Sequence, residues 1–270
     1  MSAPGKENDY LSYLARTGQG FIHPGGMAAT AWMLEKLSLE SSDTVLEVGC
    51  GTGASMAMVL GNYPVKSVAG VEPNPNMARA ARIRLKGSCP GMAWRVDAAD
   101  LIGWNAPGAH FGKIFCESVL CLQGEAELRA MVAKIVSLLK PGGLFVAVET
   151  IWQKGTAQEA ADAQNRQAMA AFGATTSTPM AWHQPAWCSL FRGTGFEIRS
   201  SDLLPDQDVL NRSIPPGFSV PHPPVLDRMA RRLGNFWRLP EEWRYRHRLK
   251  AFESQPRLCE TRLFLLEKAT

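Results

Sequence analysis

A short β-rich run, Thr44-Val45-Leu46-Glu47-Val48, leads directly into Gly49-Cys50-Gly51-Thr52-Gly53, and a helix-forming stretch, Ala54–Leu60, follows at once. This strand–turn–helix junction constrains the chain more than any other feature. Three glycines in five residues let the backbone turn where side chains would clash, and let a ligand approach the main chain. The helix that follows presents N–H groups without intrahelical partners. In a parallel sheet, ligands bind at this place, beyond the carboxyl ends of the strands.

Three acidic residues sharpen the reading. Glu47 stands two residues before Gly49, where a carboxylate disfavours an anionic pyrophosphate and favours a cation. Glu72 ends a second β-rich run, Ser67–Val71, and can accept from ribose hydroxyls. Asp97, followed by Ala98, closes a third run, Ala93–Val96, and can accept from an exocyclic amine. Acidic strand ends in succession suit a nucleoside that carries positive charge.

The first 150 residues alternate strand and helix patterns, which means βαβ units and a parallel sheet. The spacing predicts a helix over Met27–Leu37 with Met27, Ala31, Leu34 and Leu37 facing a core. Helices are also predicted over Asn76–Leu85 and Glu125–Leu139, and strands over Lys113–Cys116 and Leu144–Val148. Pro141-Gly142-Gly143 separates the last helix from the last strand. After Glu149 the rhythm breaks. Helices are predicted over Ala157–Phe172 and Pro185–Arg192, and late strands over Phe196–Ser200 and Arg262–Leu266. Between those strands lies an insertion with a Pro-rich loop, Pro215–Pro224, and two basic helices.

Composition narrows the class. With 270 residues, 46% hydrophobic and 20% charged, the chain is globular, and one large α/β domain accounts for it. No apolar run reaches the ~18 residues of a membrane helix, and the N-terminus lacks a secretory apolar core. The six cysteines form no CxxC pair, and the five histidines (23, 110, 183, 222, 247) show no paired spacing, so reduced thiols in a cytoplasmic protein without a metal site are expected. The net charge of +4 lies wholly in residues 151–270, chiefly between Arg228 and Lys250. That is too little for a nucleic-acid protein, and no membrane-surface stripe accompanies it. Its arginines either form a solvated face or bind an anionic substrate or partner subunit.

In order, VLEVGCGTG, GVEPNPNM, VDAADL, KIFCESVL and LLKPGGLFVAVE resemble the class I S-adenosylmethionine-dependent methyltransferases over residues 44–150. The late GTGFEI and RLFLLEKA segments resemble that family's last two strands. The chain is most similar to the small-molecule branch, which includes quinone-biosynthesis C-methyltransferases and many natural-product enzymes. The resemblance implies a Rossmann-like seven-stranded sheet in order 3-2-1-4-5-7-6, strand 7 antiparallel, with helices on both faces and a helical cover. It also implies a single domain over 1–270: an N-terminal cap (1–43), a cofactor core (44–150), and additions (151–194 and 202–260) covering the active edge.

The same resemblance implies roles. Gly49, Cys50, Gly51 and Gly53 would wrap the methionine part of S-adenosyl-L-methionine, and Glu47 would favour its ammonium. Glu72 would grip the ribose, with Pro73, Asn74 and Met77 around the adenosine. Asp97 would hold the adenine amine and Ala98 N–H the ring. Cys116, Glu117 and Ser118 would lie close to the sulfonium. Strand four ends in Cys-Glu-Ser and lacks the (D/N)PP(Y/F) signature of enzymes that methylate amines of DNA or glutamine.

Glu117, His23 and His183 are the catalytic candidates. Glu117 either serves as substrate contact and base or orients cofactor and backbone. His23 either covers the methionine end or acts as base, unless it is a structural turn residue. His183 either joins the site or starts a helix. Cys116 and Cys121 read as small core residues. Aromatic residues crowd the additions (Trp152, Phe172, Trp182, Trp187, Phe218, Phe236, Trp237), and some would line an apolar acceptor pocket. The expected function is methyl transfer to a small apolar or aromatic metabolite, by a chain that acts either alone or as a homo-oligomer. The alternatives are methylation-coupled cyclisation or rearrangement, a non-catalytic scaffold, and a nicotinamide oxidoreductase. GxGxG in place of GxGxxG, together with Glu47, weighs against the last.

Overall fold

The computed structural model describes residues 17–105, 111–173, 175–177, 182–221, 243, 247–248 and 258–269. Seven strands form one sheet: β1 (Thr44–Val48), β2 (Ser67–Val71), β3 (Trp94–Asp97), β4 (Phe111–Glu117), β5 (Leu139–Trp152), β6 (Phe196–Leu203) and β7 (Cys259–Lys268). Their order is β3-β2-β1-β4-β5-β7-β6. The first five strands run parallel, and β7 pairs antiparallel with both β5 and β6. Short β-branched and apolar runs buried on both faces supply the central strands, as a covered parallel sheet requires.

Side-chain alternation divides the core in two. On one face, Leu46, Val48, Ile114, Cys116, Phe145 and Ala147 pack against α4 (Glu125–Leu138) and α6 (Gln184–Gly193). On the other, Val45, Phe115, Val146 and Val148 pack against α1 (Gly26–Leu37), α2 (Ala54–Asn62) and α3 (Pro75–Ser88). Residues 54–60 of α2 are buried all round, which places the start of this helix inside the molecule, over the glycine turn. In α1, Ala31, Leu34 and Leu37 are buried as expected. Met27 is instead 42% exposed, because the inward stripe is carried by Thr30, Ala31, Met33, Leu34 and Leu37.

The chain after β5 adds α5 (Gln158–Phe172), α6 and α7 (Gln207–Ser213). Leu210 of α7 packs on Ala28 and Ala29 of α1, so part of the 202–260 insertion leans on the N-terminal helix. Sequence patterning misses α7. β5 also begins at Leu139, ahead of Pro141-Gly142-Gly143, with a register shift against β4 between Phe111 and Lys113. Trp152 and Trp187 are core residues, Trp182 packs on that core, and Phe218 stacks edge-on against Tyr63. The Phe172 side chain, Phe236, Trp237, His110, His222 and most of the basic segment lie outside the described residues. Within that segment Trp243 is exposed beside His247, and Arg248 donates to the Ala171 carbonyl. Among the described residues, no helix is long and apolar enough to cross a membrane.

Candidate active site

Gly49, Gly51 and Gly53 have φ of 69°, 51° and 75°, the left-handed region that L side chains rarely adopt. A Cβ on Gly49 would stand 2.5 Å from a Val119 methyl, and one on Gly53 would press on Ala81 of α3. Glycine is therefore required both by dihedral and by space. The N–H groups of this turn are largely satisfied inside the protein. Gly49 and Cys50 donate to the Val71 carbonyl, Gly51 to Glu72 Oε2 at 2.9 Å, and Gly53 to the Cys50 carbonyl. Cys50 is buried, with its sulfur against Gly70, so only its backbone belongs to the turn.

A carboxylate takes the place at the start of α2 where a dinucleotide fold holds phosphate. Glu47 is buried on the α2 face, and the Met56 N–H and Ser55 hydroxyl face it. Its Oε2 has no hydrogen-bond partner. Burial, and then the nearby Glu117 and Glu72 carboxylates, push its pKa well above the ordinary carboxylate range. Glu72 is buried too, accepting from Gly51 N–H and, through Oε1, from Asn74 N–H at 2.9 Å. Its pKa is raised by burial, against these two bonds. Such crowding is costly for the empty protein and is relieved by a cation.

The sign of the pH effect follows. A carboxylate whose pKa is raised on folding binds more protons folded than unfolded. Its contribution is therefore present below the ordinary carboxylate range and is lost as pH climbs through the raised value. Glu47→Gln is expected to stabilise the cofactor-free protein at neutral pH by about 1 kcal/mol, a rise of roughly 2–4 °C in Tm. It should also flatten the decline of Tm with rising pH. Thermal melts of both proteins from pH 5 to 8 check this; an unchanged slope would remove Glu47 from the account.

The adenosine side is more open. Asn74 Oδ1 caps α3 by accepting from Asn76 and Met77 N–H, Pro73 is exposed, and Met77 is buried with its methyl beside Gly51. Asp97 Oδ2 accepts from Trp104 Nε1 at 3.0 Å, and the Arg95 guanidinium lies 3.7 Å away. Ala98 is exposed next to it, and the loop is pinned by Ala99 N–H to the Glu72 carbonyl.

At the end of β4 the side chains part by strand parity. Glu117 turns toward α1 and α2. Its Oε1 accepts from Thr30 Oγ1 at 2.9 Å and lies 3.3 Å from His23 Nε2; its Oε2 accepts from Ser55 Oγ at 2.9 Å. Cys116 turns the other way and donates to Glu149 Oε1 at 3.3 Å, so its side chain does not reach the Glu117 side of the sheet, where the sulfonium was expected. Ser118 follows in a left-handed conformation, with its hydroxyl buried. His183 is at the N-cap position of α6 without a side-chain cap bond, and its carbonyl accepts from Ala186 and Trp187. The structure thus joins Glu117 with His23 and sets His183 at a helix start.

Sequence reading misses three groups. Thr30 and Ser55 hold Glu117 from residues 87 and 62 positions away. Glu149 is fully buried within β5 and accepts the N–H groups of Val119, Leu120 and Cys121, shaping the loop after Glu117. Its signal was an acidic residue directly after the predicted strand Leu144–Val148, although β5 runs on past it to Trp152. Burial raises its pKa against these bonds. The segment before α1 is strapped over the glycine turn. Thr52 Oγ1 donates to the Gln19 carbonyl, and Arg84 donates to Gly18 and Thr52 carbonyls. Among the described residues, no three His, Cys, Asp or Glu side chains are grouped to hold a metal.

A cradle of glycines, a helix start occupied by a carboxylate with an orphaned oxygen, and acidic ends on adjacent strands fit a cationic nucleoside and not a dinucleotide. Sheet order and cradle together are those of the class I methyltransferase fold. Residues 45–143 match the family described as "Methyltransferase domain". The uncharacterized methyltransferase YodH of Bacillus subtilis (strain 168) is 29% identical over 200 residues, covering 73% of this chain and 78% of that one. Trans-aconitate 2-methyltransferase of Azoarcus sp. (strain BH72) is 32% identical over 113 residues, covering 42% of this chain and 41% of the relative. The phosphoethanolamine N-methyltransferase 2 of Haemonchus contortus, solved with phosphomonomethylethanolamine and S-adenosylhomocysteine, superposes with TM-score 0.69 at 15% identity. That match covers 97% of this chain and 58% of the other. The likeness to solved structures establishes the fold, and the likeness in sequence to the methyltransferase-domain family lies in residues 45–143.

Proposed function

We propose that the protein moves a methyl group from S-adenosyl-L-methionine to a small apolar or aromatic metabolite by in-line displacement. The observation that carries this reading is the buried Glu47 carboxylate at the start of α2, with Oε2 unpartnered. It disfavours pyrophosphate and suits the cofactor's positive charge. When bound, the cofactor supplies an electrophilic methyl carbon on sulfur.

The chain's residues bind and orient. Gly49, Cys50, Gly51 and Gly53 give backbone to the methionine part, and Glu47 faces its ammonium. Glu72 takes the ribose hydroxyls, with Pro73, Asn74 and Met77 around the sugar and base. Asp97 takes the adenine amine and Ala98 N–H the ring, while Glu117 and Ser118 bound the reacting end. Alignment of acceptor with methyl carbon can supply ~7–11 kcal/mol of a bimolecular barrier. Acid–base work falls to the Glu117–His23 pair and not to His183. The aromatic residues after β5 support an apolar acceptor, and a relative named for trans-aconitate supports a small one. We place the enzyme in the cytoplasm, in secondary metabolism, without nucleic-acid or membrane partners.

Purified protein with radiolabelled methyl donor and fractionated metabolite extracts tests the reaction. Label is expected in a small organic product. A cofactor that binds and never gives up its methyl would instead favour a scaffold or a rearrangement catalyst.

A further inference from the structure

Asp97 ends β3, and its carboxylate is held from one side only. Arg95 and Asp97 stand two residues apart on the strand and so share a face. The loop that follows returns to that face. Ile102 N–H donates to Asp100 Oδ1 at 2.8 Å, and the Trp104 backbone N–H to the Leu101 carbonyl at 3.2 Å. Trp104 is 6% exposed and stacks on Phe111, with ring centroids 6.4 Å apart and planes at 21°. The core thus fixes the indole, and its Nε1–H donates to Asp97 Oδ2 at 3.0 Å. The Arg95 guanidinium lies over the same indole, 5.4 Å from the ring centroid, and 3.7 Å from the same Oδ2. Among the described residues, both donors meet Oδ2, and Oδ1 is left to a ligand.

The side chains of Arg95 and Asp97 are 43% and 39% exposed, and an ion pair so screened orders little. A partly exposed carboxylate without further restraint turns to water when a ligand offers it no hydrogen. The buried indole removes that freedom, because such a turn would strand its N–H. The carboxyl plane is therefore set before a ligand arrives. An ionised carboxylate only accepts. Held still, it takes an amine on the six position of a purine, and meets a carbonyl there with lone pair against lone pair. A site built to hydrogen-bond one group rejects its mismatch far more strongly than an apolar wall does.

Resting on the adenosine assignment above, we propose that Trp104 is a positioning residue that acts through Asp97 to make this site select a 6-amino purine over a 6-oxo purine. Its N–H requires an acceptor, and so dictates which atom of residue 97 turns to the indole and which faces the base. In Asp97→Asn the same requirement draws the amide oxygen to Trp104 and turns the NH2 group toward the ligand, where it suits a carbonyl and clashes with an amine.

Calorimetric titration with S-adenosylhomocysteine and with S-inosylhomocysteine, its 6-oxo counterpart, tests the inference. Wild type is expected to prefer the first by about a hundredfold in Kd. Trp104→Phe keeps an aromatic ring against Phe111 and lacks the N–H; the folded variant is expected to lose about tenfold of that ratio. Asp97→Asn is expected to bind the 6-oxo ligand the better of the two, and the double variant with Trp104→Phe is expected to lose this reversal. An unchanged ratio in folded Trp104→Phe overturns the proposal. So does a reversal that survives in the folded double variant, or a wild-type preference in Asp97→Asn, which leaves Trp104 untouched. Absent binding of S-adenosylhomocysteine to wild type defeats the cofactor reading and the proposal together. Binding with a ratio indifferent to both positions defeats the proposal alone.

Discussion

Glu72→Ala is expected to weaken S-adenosylmethionine binding by about 3 kcal/mol, roughly a hundredfold in Kd, through loss of two hydrogen bonds to a charged acceptor. The side chain also holds Gly51 and Asn74 N–H, so its removal loosens the turn and the approach to α3. The fold should survive, because removing Glu72 also removes a buried charge that acts on Glu47. Isothermal titration calorimetry on folded variant checks the value. Wild-type affinity in that variant would contradict the ribose assignment.

Glu149→Ala is expected to be the most destabilising of the substitutions considered. Three backbone N–H groups, from Val119, Leu120 and Cys121, converge on this buried carboxylate. Stranding them costs about 1–3 kcal/mol for each donor left without water or partner, so roughly 3–5 kcal/mol in all after partial relaxation. The affected loop follows Glu117 directly and sets Val119 against Gly49, so cofactor affinity should fall along with stability. Denaturant unfolding measures the first and calorimetry the second. A loss below about 1 kcal/mol would mean that the loop is held by other contacts.

The cofactor half of the site was legible because its information is local. A strand, three glycines and a helix sit within consecutive residues, and Glu47, Glu72 and Asp97 each lie within a residue of the carboxyl end of one of three adjacent strands. Glu117 was legible as another strand end, and His23 as a histidine in a Gly/Pro turn. Their pairing was not, because it depends on α1 delivering Thr30 and on the strap over the glycine turn. Cys116 shows what position alone does not give: adjacent side chains on a strand face opposite sides, so the Cys116 thiol turns to Glu149 and only its backbone lies beside Glu117 at the strand end. Met27 falls on the outer side of its helix because the buried stripe includes Thr30, a polar residue that periodicity discounts. The helix α7 hides in a segment too short and too polar to show a stripe.

The central claim is that this carboxylate-lined turn seats a cationic nucleoside. Titrating the folded protein with S-adenosylmethionine and, separately, with NAD tests it most directly. Saturable binding of the first, weakened by Glu72→Ala, is expected, and none of the second. Uptake of NAD with indifference to S-adenosylmethionine would contradict it.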